Sequence, residues 1–264
     1  MSSRLRAIAK DTVGIAERGS YRADGGEVSI AAQVARAVAG TRLYLPTDDL
    51  AVPAPADAAP VVEVTNESTL SATRRLGGDL ACLVFASARN PGGGFLNGAQ
   101  AQEESVARSS ALYPCLRAAE DFYTHHRAHP ELTYSDRVIY SPEVPVFRDD
   151  SGTLLPMPYP VSFLTAAAPN RSAIVRNQPQ HLPDVPAVLA RRAARILRVA
   201  AVHGHRRLVL GAWGCGVFGN EPGMVAAAFA TALREHPWFD EVHFAVLDRQ
   251  PTTPTYAAFA TALR

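Results

Sequence analysis

The pattern of apolar and polar positions divides the chain into a short N-terminal part and a longer part in which strands and helices alternate. Apolar residues recur at helical intervals in residues 1–18 and again in residues 31–39, and a glycine follows each segment. Residues 45–60 are rich in proline, alanine and aspartate, which predicts an irregular connection. We therefore expect an N-terminal helical extension of residues 1–60, packed on a core domain of residues 61–264.

From residue 61 onward, short apolar runs alternate with longer segments of helical periodicity. The predicted strands, including one in the N-terminal part, are residues 27–30, 61–65, 80–88, 138–148, 161–168, 207–212 and 242–247. Predicted helices begin near residues 70, 99–102, 114, 184–186, 221 and 253. Prolines within residues 138–148 predict an edge strand, and residues 156–160 predict an irregular return after a hairpin turn. The alternation of strands and helices predicts an α/β fold with a parallel sheet.

Composition narrows the class of protein. The chain has 264 residues, of which 47% are apolar, so it can bury a substantial core. No uncharged apolar run reaches the roughly 18 residues of a membrane span. The N-terminus also lacks the apolar core of a signal peptide, so we expect a cytoplasmic protein with no membrane contact. The formal net charge of +1 excludes a strong overall attraction to nucleic acid.

Cysteines and histidines do not predict a metal site. Cys82, Cys115 and Cys215 are widely separated and show neither a disulfide framework nor the spacing of metal ligands. The three histidines within residues 125–129 lack carboxylate or cysteine companions, so a solvated helix end explains them better than a metal does. We therefore expect no metal and no cofactor.

Residues 90–108 carry the pattern with the most specific chemistry. They follow an apolar run that suits a strand buried on both faces, and open α/β sheets bind ligands at the carboxyl ends of such strands. Three consecutive glycines let the backbone approach a ligand with its N–H groups free for phosphate oxygens, and the helix that follows adds its dipole. Two carboxylates beside such a site would repel an anion unless they take part in chemistry. The residues concerned are Gly92, Gly93, Gly94, Gln102, Glu103 and Glu104.

A second glycine-rich loop, residues 211–219, also follows a predicted buried strand and precedes a helix. Taken alone it is equally well explained as a tight strand–helix turn, but the two loops together could hold a diphosphate between them. Cys215 lies in this loop, and helix N-termini lower the pKa of thiols. A phosphatase loop also needs an arginine after the cysteine, and none follows before Glu221, so we expect no catalytic thiol.

These motifs resemble the signature of the poly(ADP-ribose) glycohydrolases. The three glycines, seven intervening residues and the Gln-Glu-Glu triplet are similar to the motif of the short bacterial members, which are built on a macrodomain. The resemblance covers about residues 61–250 and extends to the N-terminal helices. It implies a macrodomain-like three-layer α/β/α fold with a mixed central sheet.

The resemblance also implies roles for individual residues. Asn90 would contact the distal ribose, and the three glycines of the first loop would hold one side of the ADP-ribose diphosphate. Gln102 belongs to the same substrate-binding signature, and Phe218 would orient the terminal ribose. The second loop would consist of Gly214, Cys215, Gly216, Val217, Phe218, Gly219 and Asn220.

The two glutamates need separate roles, because adjacent residues on a helix point about 100° apart. A structural alternative is an exposed ion pair between Glu104 and Arg108. The resemblance implies instead that Glu104 protonates the departing ribose 2′ oxygen and then activates water, while Glu103 holds ribose hydroxyls. A helix N-terminus favours a charged carboxylate, whereas burial, a second carboxylate and bound phosphates favour the protonated form. We therefore predict that substrate binding sets the protonation of Glu104, and identical pH profiles of kcat and kcat/KM would contradict this.

The leading hypothesis is a poly(ADP-ribose) glycohydrolase that cleaves ribose–ribose O-glycosidic bonds and releases ADP-ribose. The resemblance further implies exo cleavage, because C-terminal elements close one end of the site in the bacterial type, and residues 253–264 could do so here. Two alternatives stay open: a hydrolase of mono-ADP-ribosylated protein or DNA, and a non-catalytic ADP-ribose-binding macrodomain, which would not need both glutamates. We expect a monomer whose partner is poly(ADP-ribose) or another ADP-ribosylated macromolecule.

Overall fold

The computed structural model describes residues 2–56 and 58–264, and in these residues a seven-stranded sheet lies between two layers of helices. The strands are β1 Ser20–Ala23, β2 Gly26–Ser29, β3 Arg42–Tyr44, β4 Val61–Thr65, β5 Ala81–Phe85, β6 Val138–Arg148, β7 Leu154–Ala166, β8 Arg207–Gly211 and β9 Glu241–Ala245. The α-helices are α1 Ser3–Arg18, α2 Ala31–Gly40, α3 Thr69–Leu76, α4 Gln102–Ser109, α5 Leu112–Ala118, α6 Glu120–Ala128, α7 Arg171–Asn177, α8 Val185–Val202, α9 Pro222–Glu235 and α10 Pro254–Ala262. Short 3₁₀ helices cover Phe95–Asn97 and Pro179–Asp184.

The central sheet is mixed and has the strand order β3-β6-β7-β5-β8-β9-β4. β4, β9, β8, β5 and β7 run parallel to one another, whereas β6 is antiparallel to both β7 and β3. The mixed sheet implied by the family resemblance is therefore confirmed, and the all-parallel sheet predicted from the alternation of elements is wrong. The alternation could not reveal that β6 runs antiparallel, because this strand is joined to β7 by a hairpin and not by a helical crossover.

Two predictions for the β6–β7 hairpin need correction. The edge-strand prediction is wrong for the first three residues of β6, because the short β3, which the apolar pattern did not predict, pairs with them, whereas both prolines of β6 lie beyond this pairing. Residues 156–160 are not an irregular return but part of the continuous strand β7. The three prolines occupy alternate positions, so the missing N–H groups all lie on one edge of the strand. The pairing of β7 with β5 starts only at Ser162, after the last of these prolines.

Both faces of the sheet are buried. In β5, Ala81 and Leu83 belong to the core on one face, whereas Cys82 and Val84 belong to the core on the other. Helices α7 to α10 contribute to the first core and helices α1 to α6 to the second. Each fully buried Leu or Val contributes about 1.5–3 kcal/mol relative to an exposed one, so β5 is firmly held. The loop that follows β5 therefore starts from a rigid position.

Within the first 60 residues, α1 begins after its N-cap Ser2, whose side chain accepts a hydrogen bond from the Leu5 N–H, and ends at Gly19 with φ 74°. This part is not purely helical, because β1 and β2 form a hairpin and β3 belongs to the central sheet. The division into an extension and a core domain at residue 60 stays a prediction. No helix in the described parts of the chain combines the length and apolar character that crossing a membrane requires.

Candidate active site

Two loops meet at one edge of the sheet and border a cleft of about 950 Å³. The first loop runs from β5 to α4 and the second from β8 to α9, and β5 and β8 are parallel neighbours, so both loops leave from carboxyl ends of strands. This is where open α/β sheets bind ligands, and the volume suits a small organic ligand. The cleft is lined by Glu67, Ser68, Thr69, Ser87, Gln102, Glu103, Glu104, residues 212–218, residues 247–250 and Thr255, among others.

The first loop folds around the two glutamate side chains. Gly92 and Gly93 have φ values of 69° and 59°, which residues with a side chain rarely adopt. A Cβ on Gly93 would collide with Glu104 Oε1 and lie 3.0 Å from Glu103 Oε2. The carboxyl groups of two adjacent helical residues therefore converge on Gly93, and a glycine is required there because no other residue leaves them room.

The backbone donors of this loop are used inside the protein. The Gly93 N–H donates to the Asn90 carbonyl at 3.0 Å, and the Gly94 N–H donates to Glu104 Oε1 at 3.0 Å. The expectation that these N–H groups are free for a phosphate is wrong for both residues. Spacing alone could not show that the side chain of Glu104 turns back onto the glycines.

The structure does not place every predicted first-loop residue in the cleft. Asn90 is exposed, its N–H donates to Ser87 Oγ at 3.2 Å, and within the described residues neither Asn90 nor Gly92 to Gly94 lines the cleft. Their contacts to a ribose or a diphosphate stay predictions. The contacts present here give the loop the function of holding the carboxyl groups.

Glu103 is almost completely buried, with 3% of its surface exposed. Its Oε2 accepts a hydrogen bond from the Ser87 N–H at 2.6 Å, whereas Oε1 has no hydrogen-bond partner among the described residues. Burial raises the pKa of Glu103 well above its usual range, and the neighbouring Glu104 carboxylate raises it further against the lowering effect of the Ser87 N–H. Glu103 is thus a buried carboxyl that resists ionisation.

Glu104 is half-buried and lines the cleft. The alternative of an exposed ion pair with Arg108 is wrong, because Arg108 is 5% exposed and its Nη1 donates to the Ala99 carbonyl at 2.6 Å. Arg108 therefore holds the backbone at Ala99, just before α4 begins. Both glutamates lie in the first turn of this helix, where a carboxylate complements the helix dipole.

Gln102 fastens the start of α4 to the sheet. Its Oε1 accepts from the Phe85 N–H at 2.9 Å, and its Nε2 donates to the Leu83 carbonyl at 2.8 Å and to Thr69 Oγ1 at 3.2 Å. The amide group is thus fully engaged by the protein. Its predicted contact with substrate stays a prediction, and the contacts seen here assign it a supporting function.

The base of the second loop is braced by a buried asparagine. Asn220 is 2% exposed, and its Nδ2 donates to the Pro169 carbonyl at 2.9 Å and to the Gly214 carbonyl at 3.1 Å. A Cβ on Gly214, whose φ is 71°, would lie 2.6 Å from this nitrogen. Gly219 is also confined, because a Cβ there would collide with Ser172 Oγ. Gly214, Gly219 and Asn220 therefore shape the loop.

The tip of the second loop presents free backbone donors to the cleft. Gly216, Val217 and Phe218 all line the cleft, and Val217 is 85% exposed. Within residues 2–56 and 58–264, none of their three N–H groups donates to another protein atom. Successive unpaired N–H groups in a loop ahead of a helix form a typical anion site. The second loop thus has the free donors that the first loop lacks.

Cys215 does not bring a reactive thiol to the cleft, whereas Phe218 brings an aromatic ring. Burial raises the pKa of the Cys215 thiol to about 12, so the thiol stays protonated at neutral pH and is a poor nucleophile. The Phe218 ring is half-buried, with its centroid 6.0 Å from that of Tyr134. Tyr134 has a φ of 57°, an uncommon value for a residue with a side chain. Phe218 therefore sits at the cleft with an aromatic support behind it.

One wall of the cleft was foreseen only in part, because residues 253–264 were expected to close one end of the site, whereas residues 247–250 were not singled out. Residues 247–250 and Thr255 line it after the end of β9, and Asp248 holds this segment by accepting from the Thr255 N–H at 2.7 Å. Asn66 also holds the Asp248 backbone: its Oδ1 accepts from the Asp248 N–H at 2.8 Å, and its Nδ2 donates to the Asp248 carbonyl at 3.1 Å. The only sequence signal was the position of Asp248 at the carboxyl end of a predicted strand.

The three histidines near the end of α6 do not share one environment. The rings of His125 and His129 stack with their centroids 3.9 Å apart. His126 is buried, its Nε2 lies 2.8 Å from Ser135 Oγ, and burial lowers its pKa to about 4. The expectation of a solvated helix end is therefore wrong for His126.

Comparison with known proteins agrees with this geometry. The model of the microbial-type PARG catalytic domain matches residues 9–149. The crystal structure of poly(ADP-ribose) glycohydrolase from Thermomonospora curvata is similar with 52% identity and a TM-score of 0.92, over 99% of this chain and 100% of that chain. The structure of that glycohydrolase bound to the inhibitor ADP-HPD is similar with 51% identity and a TM-score of 0.89, over 98% and 99%. The Deinococcus radiodurans poly(ADP-ribose) glycohydrolase in complex with ADP-ribose is similar with 44% identity and a TM-score of 0.82, over 90% and 99%. No curated protein matches the chain.

Proposed function

The chain belongs to the microbial-type poly(ADP-ribose) glycohydrolase family, and we propose that it hydrolyses ribose–ribose O-glycosidic bonds of poly(ADP-ribose) and releases ADP-ribose. The enzyme is accordingly a glycosidase. One observation carries the proposal: the carboxyl groups of Glu103 and Glu104 converge on Gly93 beside a cleft whose opposite loop offers unpaired N–H groups. A diphosphate at those donors would leave the sugar linkage within reach of the carboxyl groups.

We assign the proton transfer to Glu104. The Gly94 N–H holds its Oε1, and within the described chain Oε2 makes no hydrogen bond, so Oε2 is the oxygen available for the reaction. Glycosidic cleavage passes through an oxocarbenium-like state and needs an acid for the leaving oxygen. Glu104 would protonate the ribose 2′ oxygen and, as a carboxylate, take a proton from the attacking water.

Glu103 serves as a positioning group in this scheme. Its Oε2 accepts from the Ser87 N–H, so the proton of the neutral carboxyl is on the unpaired Oε1, which is suited to form a hydrogen bond with a ribose hydroxyl. A buried polar group without a partner is costly, so a substrate hydroxyl at this place gains from pairing with it. Phe218 would pack against the terminal ribose from the other loop.

Exo cleavage is the finer part of the proposal. Residues 247–250 and Thr255 form one wall of the cleft, and a site closed on that side would accept the end of a polymer more readily than its interior. The monomeric state and the cytoplasmic location expected from the sequence belong to the same proposal. Light scattering of the purified protein tests the first of these.

The decisive experiment compares wild type and Glu104→Gln on poly(ADP-ribose), mono-ADP-ribosylated protein and mono-ADP-ribosylated DNA. Glu235→Gln, an exposed residue at the end of α9, is the matched control. We expect free ADP-ribose from the polymer with wild type and the control, and a loss of at least 100-fold with Glu104→Gln, in line with general acid–base catalysis. Release only from mono-modified protein or DNA would reassign the substrate, and ADP-ribose binding without release by wild type would indicate a reader.

A further inference from the structure

The leaving part of the polymer emerges next to the first loop. If Glu104 protonates the leaving oxygen, the second ADP-ribose unit departs on the Glu104 side of the cleft. Glu104 is bonded to Gly94, and the Ala99 N–H donates to the Gly94 carbonyl at 3.1 Å, so the short 3₁₀ helix between them closes into a compact turn. Gly98, the last residue of this turn before Ala99, therefore lies close to the reacting group.

The N-terminal half of α1 packs directly against this turn. A Cβ on Gly98 would lie 2.6 Å from the Ser2 carbonyl and 3.1 Å from Arg6 Cγ. On the other side of α1, Arg4 Nη2 donates to the Ser151 carbonyl at 2.8 Å, in the turn that also carries Asp150 of the cleft wall. The first turns of α1 thus lie between the turn that follows the glycines of the first loop and the segment that carries Asp150.

A second observation places α1 at the cleft. A small cavity of about 40 Å³ lies between α1 and α4 and is bordered by Leu5 and Ile8. It shares Gln100, Ser105 and Asp150 with the main cleft. Leu5 and Ile8 therefore close the small cavity, and the polar side of α1 faces the solvent, with Arg6 next to Gly98.

That polar side is strongly basic. Arg4, Arg6 and Lys10 are exposed, and in the described residues none of them forms an ion pair. The next acid on the helix, Asp11, is already paired with Arg148. Arg6 and Lys10 are four residues apart and so share one face of the helix. Leu96, 44% exposed in the adjacent turn, adds an apolar contact for a base.

We propose that Arg6 and Lys10 form a binding surface for the diphosphate of the second ADP-ribose unit, the one that leaves when the terminal unit is cut. The inference rests on the proposed function. A diphosphate carries two negative charges, and unpaired guanidinium and ammonium groups beside an apolar side chain are the chemistry that binds single-stranded nucleotide chains. This surface would give the enzyme a preference for polymer over substrates in which no second diphosphate follows the bond to be cut.

The test uses two substrates that differ in the second diphosphate and the ribose attached to it. One is the dimer of ADP-ribose, and the other is ADP-ribose joined through the same ribose linkage to adenosine. The variant is Arg6→Ala/Lys10→Ala, which changes two exposed side chains and leaves the Arg4–Ser151 contact intact. Arg234→Ala, an exposed arginine in the last turn of α9, is the control for a lost positive charge.

We expect the double variant to lower kcat/KM on the dimer about five-fold at low ionic strength, since exposed charge contacts contribute little individually and are screened by salt. Activity on the adenosine conjugate and affinity for ADP-ribose should stay at the wild-type level. Equal losses on both substrates, or no loss on the dimer, would overturn the inference. If wild type cleaves neither substrate nor the polymer, the proposed function itself fails, which is a separate outcome.

Discussion

Replacing Gly93 by alanine tests whether the first loop exists to hold the catalytic carboxyl groups. The added Cβ would collide with Glu104 Oε1, and it would lie 3.1 Å from Glu104 Cδ and 3.0 Å from Glu103 Oε2. Neither carboxyl group can give way easily, because Glu103 is buried and Glu104 is bonded to the next residue of the loop. The substitution therefore acts on both groups without altering either of them chemically.

The expected size of the effect follows from these contacts. A collision at Oε1 must move the Glu104 carboxyl by about 1 Å, and misplacement by that distance costs about 100-fold in rate. The left-handed backbone, with φ 59°, adds about 1–2 kcal/mol of destabilisation for a residue with a side chain. We thus expect kcat on poly(ADP-ribose) to fall about 100-fold, while KM and the affinity for ADP-ribose change much less, because the second loop is untouched.

The assay combines steady-state kinetics with thermal unfolding. Gly204→Ala is the matched control: Gly204 also has a positive φ, 77°, but a Cβ there would meet nothing within 4 Å. The Gly204→Ala variant should lose about as much stability as Gly93→Ala from the positive φ, and it should keep wild-type activity. If Gly93→Ala is folded and retains kcat within two-fold of wild type, the loop does not position the carboxyl groups and the reasoning is refuted.

Three further substitutions have defined outcomes. Glu103→Gln should flatten the pH dependence of stability: because burial raises the pKa of Glu103 in the folded state, wild type loses stability as pH rises above about 4.3, whereas the neutral glutamine does not titrate. In denaturant titrations the two proteins should therefore be most alike at low pH, and the variant should gain on wild type as pH rises. Thr12→Val should lower the free energy of unfolding by about 2–4 kcal/mol, because the buried Thr12 hydroxyl donates to the Arg108 carbonyl at 2.6 Å and accepts from Arg148 Nε at 3.0 Å. Thr12→Ser keeps the hydroxyl and should retain most of the wild-type stability. An unchanged unfolding midpoint for Thr12→Val would contradict a stabilising role of these two hydrogen bonds. Asn220→Ala should weaken ADP-ribose binding at least ten-fold in calorimetry and leave the acid–base groups intact, since it releases the base of the second loop; a larger loss in kcat than in affinity would speak against this.

Much of the fold was predictable because its central strands are short apolar runs with helices between them. β4, β5, β8 and β9, with the helices that follow them, lie within a few residues of where periodicity predicts them. β3 was missed because three residues carry too little periodicity to stand out, and it exists only because β6 offers it an edge to pair with. β7 was misjudged for the opposite reason: local proline content predicts a break, whereas one-sided pairing tolerates it.

The parts of the site that depend on contacts close in sequence were predictable, whereas the parts that depend on distant contacts were not. The glycines and glutamates of the first loop are close in sequence, so their pairing with each other was accessible to reasoning about spacing. The wall formed by residues 247–250 was not, because Asp248 is held by Asn66, 182 residues away. The packing of α1 against α4 is equally distant, since Thr12 and Arg108 are 96 residues apart. Such contacts depend on how the layers assemble, and no local pattern encodes them.

The two glycine loops look alike in sequence, yet their backbone N–H groups differ in what they bind. In the second loop, the N–H groups of Gly216, Val217 and Phe218 stay free within the described chain, as a phosphate site requires. In the first loop, the corresponding donor of Gly94 is taken by Glu104, so this N–H group holds a carboxyl group and is not free for a ligand. What separates the two is the carboxylate that follows: seven residues between Gly94 and Gln102 are enough for a 3₁₀ turn and the start of α4, which brings Glu104 back onto the glycines. The length of that spacer is therefore as important as the residues at its ends, because a longer or shorter turn would move the Glu104 carboxyl away from the position in which we propose that it protonates the leaving oxygen.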